Sequence, residues 1–292
     1  MGGQLFNRIT VVTVGTSSTT GLSFQGLRTQ FRLEKNNQQD PNDGEITVWN
    51  LSPSTRKLIQ AQANQPGGVP LILKAGYGTA DNAQILFYGD ILPYGIAVAR
   101  NGPDWLTTFR IGDGLSSYRG DRVALAQFPP NSSVSTVVTG LIKQLSSDKI
   151  NFSNVLSSIG GLLTGKPQTY PKGTVVHGGV LQEVNKILKG HGIVCTCQNG
   201  TLVVAPIGGT AAVTGTVPSL SSSTGLIGSP EPSKDNFIKF KCLLRPEILP
   251  FGKVFVTYGT PPVQLTVTAH KVLHTGDTRG QEWYTDVEGK SS

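Results

Sequence analysis

The chain has 292 residues, a formal net charge of +7, only 15% charged residues, 36 Gly, 18 Pro and 3 Cys. That length suits two or three domains, and a charged fraction below the roughly 25% of an average domain, with so many Gly and Pro, predicts a turn-rich β protein whose surface is either polar and uncharged or covered by partners. Lys and Arg scattered without a basic run argue against a nucleic-acid groove, the start lacks a signal-peptide apolar region, no segment reaches the length of a membrane span, and an odd cysteine count excludes a disulfide framework.

In chain order, Leu27 to Glu34 alternates strictly, with Leu27, Thr29, Phe31 and Leu33 on one face and Arg28, Gln30, Arg32 and Glu34 on the other, which predicts a half-buried strand. A polar stretch ending in Asp43-Gly44 leads into a second strand, Glu45 to Asn50. Ser52 as N-cap and Pro53 at the first helical position predict a short helix over Thr55 to Ala63. Strands follow at Leu71 to Tyr77, Gln84 to Ile91, Gly95 to Arg100 and Trp105 to Ile111, completing a first antiparallel module.

At Asp113 the pattern changes. Val134 to Leu145, Asn151 to Leu163 and Val180 to Leu188 carry apolar residues at helical spacing, and the Asn199-Gly200 turn predicts a hairpin joining Gly192–Cys197 to Thr201–Ala205. Gly208 to Ser223 is rich in Gly, Thr and Ser and predicts a linker. Strand character returns over Phe237–Leu244, Lys253–Tyr258, Val263–Leu273 and Trp283–Val287. The predicted division is therefore a first β domain over 1–115, a middle α/β domain over 116–207, a linker over 208–223 and a second, shorter β module over 224–292.

One sequence ends both β modules. Gly102-Pro-Asp-Trp-Leu-Thr107 and Gly280-Gln-Glu-Trp-Tyr-Thr285 share the form Gly-x-acid-Trp-x-Thr, each after a turn and each followed closely by acid-Gly, Asp113-Gly114 and Glu288-Gly289. A duplicated module accounts for the match and its flanks better than coincidence. Trp105 and Trp283, with Trp49 in the second strand, are then expected to be structural anchors, either as core aromatics of each module or as interface residues.

The patterns that could carry chemistry are weak. Gly160-Gly-Leu-Leu-Thr-Gly-Lys166 has the front of a phosphate-binding loop, but Pro167 stands where a magnesium-binding hydroxyl is required and the preceding residues are helical. His191, Cys195 and Cys197 lie close together, yet the two cysteines alternate on one strand without a second ligand pair, so buried thiols are expected and no metal or cofactor. His270 and His274 read as strand histidines at the surface, and Asp277-Thr-Arg-Gly280 as turn chemistry. No nucleophile-base set or carboxylate pair can be assembled, which predicts a non-enzyme.

Phe31-Arg-Leu-Glu-Lys35, Gly44 to Ser52, Ala75-Gly-Tyr77, Phe87-Tyr-Gly-Asp-Ile91, Asp104-Trp-Leu-Thr107 and Asp113-Gly114, taken in order, resemble the N-terminal domain of baseplate hub proteins of contractile-tailed bacteriophages. Thr224 to Glu231, Leu243-Leu-Arg-Pro246, His274-Thr-Gly-Asp-Thr278 and Glu282-Trp-Tyr-Thr285 resemble the same family's C-terminal part. The resemblance implies two tail-tube-like antiparallel β-barrel modules per chain and a homotrimeric virion protein, in which three pairs of modules match a six-fold tail tube on one side and a three-fold central spike on the other. It also implies contacts with other baseplate proteins and passage of DNA through the lumen without sequence-specific binding, and gives no membrane anchor. A tail-associated cell-wall-degrading enzyme and a glycan-binding adhesin are the alternatives from other classes.

Overall fold

The computed structural model describes residues 7–15, 21–38, 40–63, 69–114, 123–145, 151–165, 169–211 and 217–291. The first module contains β1 (Arg8–Val14), β2 (Leu22–Gln25), β3 (Thr29–Asn36), β4 (Asp43–Trp49), α1 (Pro53–Ala63), β5 (Val69–Tyr77), β6 (Gln84–Asn101) and β7 (Asp104–Gly112). The middle part holds β8 (Val123–Phe128), β9 (Ser132–Ser133), α2 (Val134–Lys143), α3 (Ser153–Leu162), β10 (Thr169–Tyr170), β11 (Thr174–Gly179), α4 (Val180–Lys189), β12 (Ile193–Gln198) and β13 (Thr201–Pro206). The chain closes with β14 (Ser219–Leu220), β15 (Leu226–Pro232), β16 (Phe237–Leu243), β17 (Lys253–Tyr258), β18 (Val263–Asp277) and β19 (Trp283–Ser291).

Two compact units result, one of residues 1–36, 42–113 and 213–292, the other of 37–41 and 114–212. The fold is mainly β with an α/β middle part. In the smaller unit the apolar faces of α2 (Val134, Val137, Val138, Leu141, Ile142) and α4 (Val180, Leu181, Val184, Leu188) share a core with β12 and β13. Ser133 caps α2, its hydroxyl accepting from the Thr136 N–H at 3.0 Å. The predicted hairpin is present, with Asn199 (φ 52°) and Gly200 (φ 72°) in the left-handed conformations that a tight Asn-Gly turn needs.

The larger unit is built on one 13-stranded sheet whose main path runs β15-β16-β19-β18-β3-β4-β7-β6-β5-β1-β2. The two antiparallel β modules are thus fused strand to strand: β18 of the second pairs with β3 of the first from Lys271↔Asn36 to Asp277↔Gln30. The predicted alternation of β3 holds, with Thr29, Phe31 and Leu33 buried, and it continues one step further to a buried Lys35. The predicted strands Gln84–Ile91 and Gly95–Arg100 are one strand, β6, interrupted by a bulge in which Leu92 to Gly95 stand opposite Arg110 alone. At the bulge Tyr94 has φ 57° and a fully exposed ring. The strands β1, β2, β8 to β11, β14 and β15 were not among the elements read from the sequence.

Candidate functional site

The seam between the modules brings together Trp283, His274 and the Asp277-Thr-Arg-Gly280 turn. Directly paired residues of an antiparallel sheet face the same side, so Phe31, Leu33 and Lys35 of β3 share one face with Gly276, His274 and Val272 of β18, and with Trp283, Thr285 and Val287 of β19. Trp283 is 1% exposed and meets Phe31 edge-on at 5.4 Å between centroids and Tyr77 at 6.4 Å. Gly276 sits under the Phe31 ring with no room for a Cβ, which explains the glycine at that place in an otherwise substituted strand.

Ionisable groups are buried in this face. Lys35 is fully buried, its Nζ 5.8 Å from the centre of the Phe87 ring, and burial lowers its pKa to about 7 against the opposing attraction of Asp113, itself 1% exposed. His274 is also fully buried and is held neutral by desolvation and by the neighbouring Lys35. Its Nδ1 lies 3.0 Å from the Thr285 hydroxyl, which also accepts the Arg245 N–H at 2.9 Å. The Thr285 hydroxyl therefore bridges the Arg245 backbone and the imidazole. Asn42 joins the ends of β3 and β7 here: its Oδ1 accepts from Asn36 N at 2.8 Å and its carbonyl from Asp113 N at 2.8 Å.

At the other end of the seam two arginines clamp the loop between β18 and β19. Arg28 donates to Asp277 through Nη2–Oδ2 (2.8 Å) and Nε–Oδ1 (3.3 Å) and lies over the Trp49 ring at 4.5 Å. Burial alone would raise the Asp277 pKa, but the Arg28 hydrogen bonds and the Arg279 and Gly280 N–H groups reverse this and hold it below the usual carboxylate value. Arg8 of β1 donates to the carbonyls of Gly280 (2.6 Å), Asp277 (3.1 Å) and Gln281 (3.2 Å), and its guanidinium stands 5.7 Å from the centre of the Trp283 ring. The Asp277-Thr-Arg-Gly280 turn is therefore the receptor of this clamp.

The opposite face of the sheet carries ion pairs between neighbouring strands. Lys239 pairs with Glu288 (3.6 Å), Lys241 with Asp286 (3.6 Å), Lys271 with Glu34 (2.6 Å) and Arg110 with Glu45 (3.6 Å). The Lys271–Glu34 pair crosses the seam itself. These pairs are exposed, so they fix register and complementarity more than stability.

The repeated Gly-x-acid-Trp-x-Thr sequences occupy equivalent places, each leading from a turn into the second strand of a hairpin, β6–β7 and β18–β19. Their surroundings differ. Trp283 lies in the core, whereas Trp105 is 40% exposed, under Arg56 of α1 at 4.6 Å and Arg100 at 5.9 Å. A core position for Trp105 is thus corrected: it shares the inward face of β7 with Thr107 and Phe109 but lies past the rim of the core, beside Arg56 and Arg100. Trp49 is 9% exposed. His270 and His274 do not share a face, because a bulge between Ala269 and Lys271 breaks the alternation. The expectation of two surface histidines is corrected accordingly for His274.

Cys195, Cys197 and Cys242 are buried, and burial pushes the Cys195 and Cys242 thiols up to about 12. Among the described residues no group of three or more His, Cys, Asp or Glu is placed to hold a metal ion, and no helix is long and apolar enough to cross a membrane. Gly160 and Gly161 lie in α3, and Lys166 is outside the described residues. The buried Lys35 and the Arg8 clamp were missed in sequence. The period-2 run of β3 does extend to Lys35, but a lysine reads as its end.

No family model and no curated protein matches the sequence. Solved structures do match in fold. A tail protein from Neisseria meningitidis superposes with TM-score 0.61 at 11% identity, covering 97% of this chain and 96% of that one. The 43 kDa tail protein of prophage MuSo2 from Shewanella oneidensis gives 0.61 at 9% identity, with 97% and 96% covered. An Escherichia coli type VI secretion component, described as structurally similar to the T4 bacteriophage tail proteins gp27 and gp5, gives 0.56 at 12% identity, with 91% and 73% covered. The chain therefore shares, over nearly its whole length, the fold of phage tail proteins and of a type VI secretion component.

Proposed function

We propose that the chain is a structural subunit of a phage-type tail, the central baseplate hub that joins a six-fold tail tube to a three-fold spike as a homotrimer. The observation that carries this reading is the fusion of two β modules, each closed by the same Gly-x-acid-Trp-x-Thr hairpin, into one sheet through β3 and β18. A ring that must meet six-fold and three-fold neighbours needs two similar modules held at a fixed angle, and a shared sheet fixes that angle where a flexible linker would not. The full-length likeness to tail proteins supports the same reading. In the tail, the lumen passes DNA without reading its sequence, the other contacts are with neighbouring baseplate proteins, and the protein resides in the virion.

Mass photometry and electron-microscopy class averages of the purified chain, alone and with its tube and spike proteins, test this. Three-fold particles are expected. A chain that stays monomeric with both partners present overturns the reading.

A further inference from the structure

We infer that Trp105 and the two guanidinium groups beside it form a docking site for a carboxylate-bearing segment of another protein. The first observation is exposure: Trp105 keeps 40% of its surface open although its partner in the repeat, Trp283, is 1% exposed. The second is rigidity. Asn50, in the left-handed conformation at φ 57°, accepts the Trp105 N–H at 3.0 Å on its side chain, donates its own N–H to the Trp105 carbonyl at 2.7 Å, and donates Nδ2–H to Asp104 Oδ1 at 2.8 Å. One residue thus fixes both the N–H and the carbonyl of Trp105.

The third observation is charge. Arg56 and Arg100 lie 4.6 Å and 5.9 Å from the centre of the Trp105 ring, and neither has a carboxylate partner among the described residues. Lys239, Lys241 and Lys271 on the sheet's outer face are, in contrast, matched to acids across the strands. Asp104, the acid next to Trp105 in sequence, is held by Asn50. Arg100 Nε donates to the Gly102 carbonyl at 3.1 Å, which leaves its terminal Nη groups and the Arg56 guanidinium for a carboxylate, and Trp with Arg is the composition of interface hot spots. The complementary occupant is a segment bearing Asp or Glu next to an apolar side chain that can cover the indole.

A protein fits this site better than a nucleic acid. The two cations converge on one ring and do not track a backbone.

The inference is tested on the isolated full-length chain, so it stands or falls separately from the tail role. Fluorescence anisotropy at low ionic strength would follow a labelled Glu-Pro repeat peptide, its Gln-Pro counterpart and a duplex DNA. Binding of the Glu-Pro peptide alone is expected, weakened by salt and reduced roughly tenfold or more in both Trp105→Ala and Arg56→Gln/Arg100→Gln, with Arg56→Lys/Arg100→Lys retaining only part of it. Unchanged thermal unfolding of the exposed arginine variants would separate lost binding from lost fold. Absence of peptide binding, equal binding by the Gln-Pro peptide or by the arginine variants, or tighter binding of DNA through the same residues would each overturn it.

Discussion

Arg28 and Asp277, 249 residues apart in sequence, meet in a two-point ion pair of 2.8 Å and 3.3 Å that ties the entry of the first module's shared strand to the exit of the second's. Asp277 is nearly buried while the Arg28 side chain is 40% exposed, so the pair sits between a surface and a buried bridge. Arg28→Ala or Asp277→Asn should each cost about 1–2 kcal/mol in urea unfolding, and a double-mutant cycle should show that most of this is shared. Because the Asp277 pKa is depressed in the folded chain, its contribution is complete above the unfolded value of 3.8 and is lost as pH falls through the folded value. The Asp277→Asn variant should lose that part of the acid sensitivity.

The buried Lys35 predicts a second pH dependence. Its folded pKa of about 7 lies below the ordinary 10.5, so between these values the unfolded chain binds more protons and stability rises with pH. His274, whose pKa is also depressed, adds a slope of the same sign at and below pH 6.5. Acidification should therefore lower the melting temperature even before carboxylates titrate, and Lys35→Met should flatten the curve from pH 7 upward.

The repeat offers an internal control. Thr107 and Thr285 are equivalent and both buried, but the Thr285 hydroxyl serves Arg245 N and His274 Nδ1, whereas the Thr107 hydroxyl has no partner among the described residues. Thr285→Val should cost about 2–4 kcal/mol by stranding two buried groups, and Thr107→Val should be neutral or stabilising. Equal effects measured by chemical unfolding would contradict the assigned network.

Gly276 under the Phe31 ring predicts a steric coupling across the seam. Gly276→Ala should destabilise by about 1–3 kcal/mol, since the added methyl overlaps the ring, and Phe31→Leu should relieve part of that penalty in the double variant. Thermal unfolding of the three variants reads this directly.

Much of this architecture was legible in the residues. Alternation located β3, capping signals located α1, and Asn199-Gly200 located the β12–β13 turn, because each depends on local chemistry. What was not legible depends on partners distant in sequence. β1 is a run of β-branched residues whose role emerges only from its place beside β5 and from the reach of Arg8 to Gly280. The burial of Lys35 and His274 follows from the β3–β18 pairing, and the different fates of Trp105 and Trp283 from what happens to lie above each ring. A local motif states that a tryptophan follows a hairpin turn; it does not state whether a neighbour will cover it.

The β3–β18 pairing also sets a schedule for synthesis. A ribosome working at ~5–20 residues/s needs on the order of ten seconds or more to make the chain between Asn36 and Lys271. Through that interval β3 presents an unpaired edge, and the pocket that Trp283 will fill stays open to solvent. The nascent protein must therefore either hold its first module incomplete or have the exposed edge shielded until the last strands emerge, which makes the closing hairpin the step at which the larger unit becomes safe from aggregation.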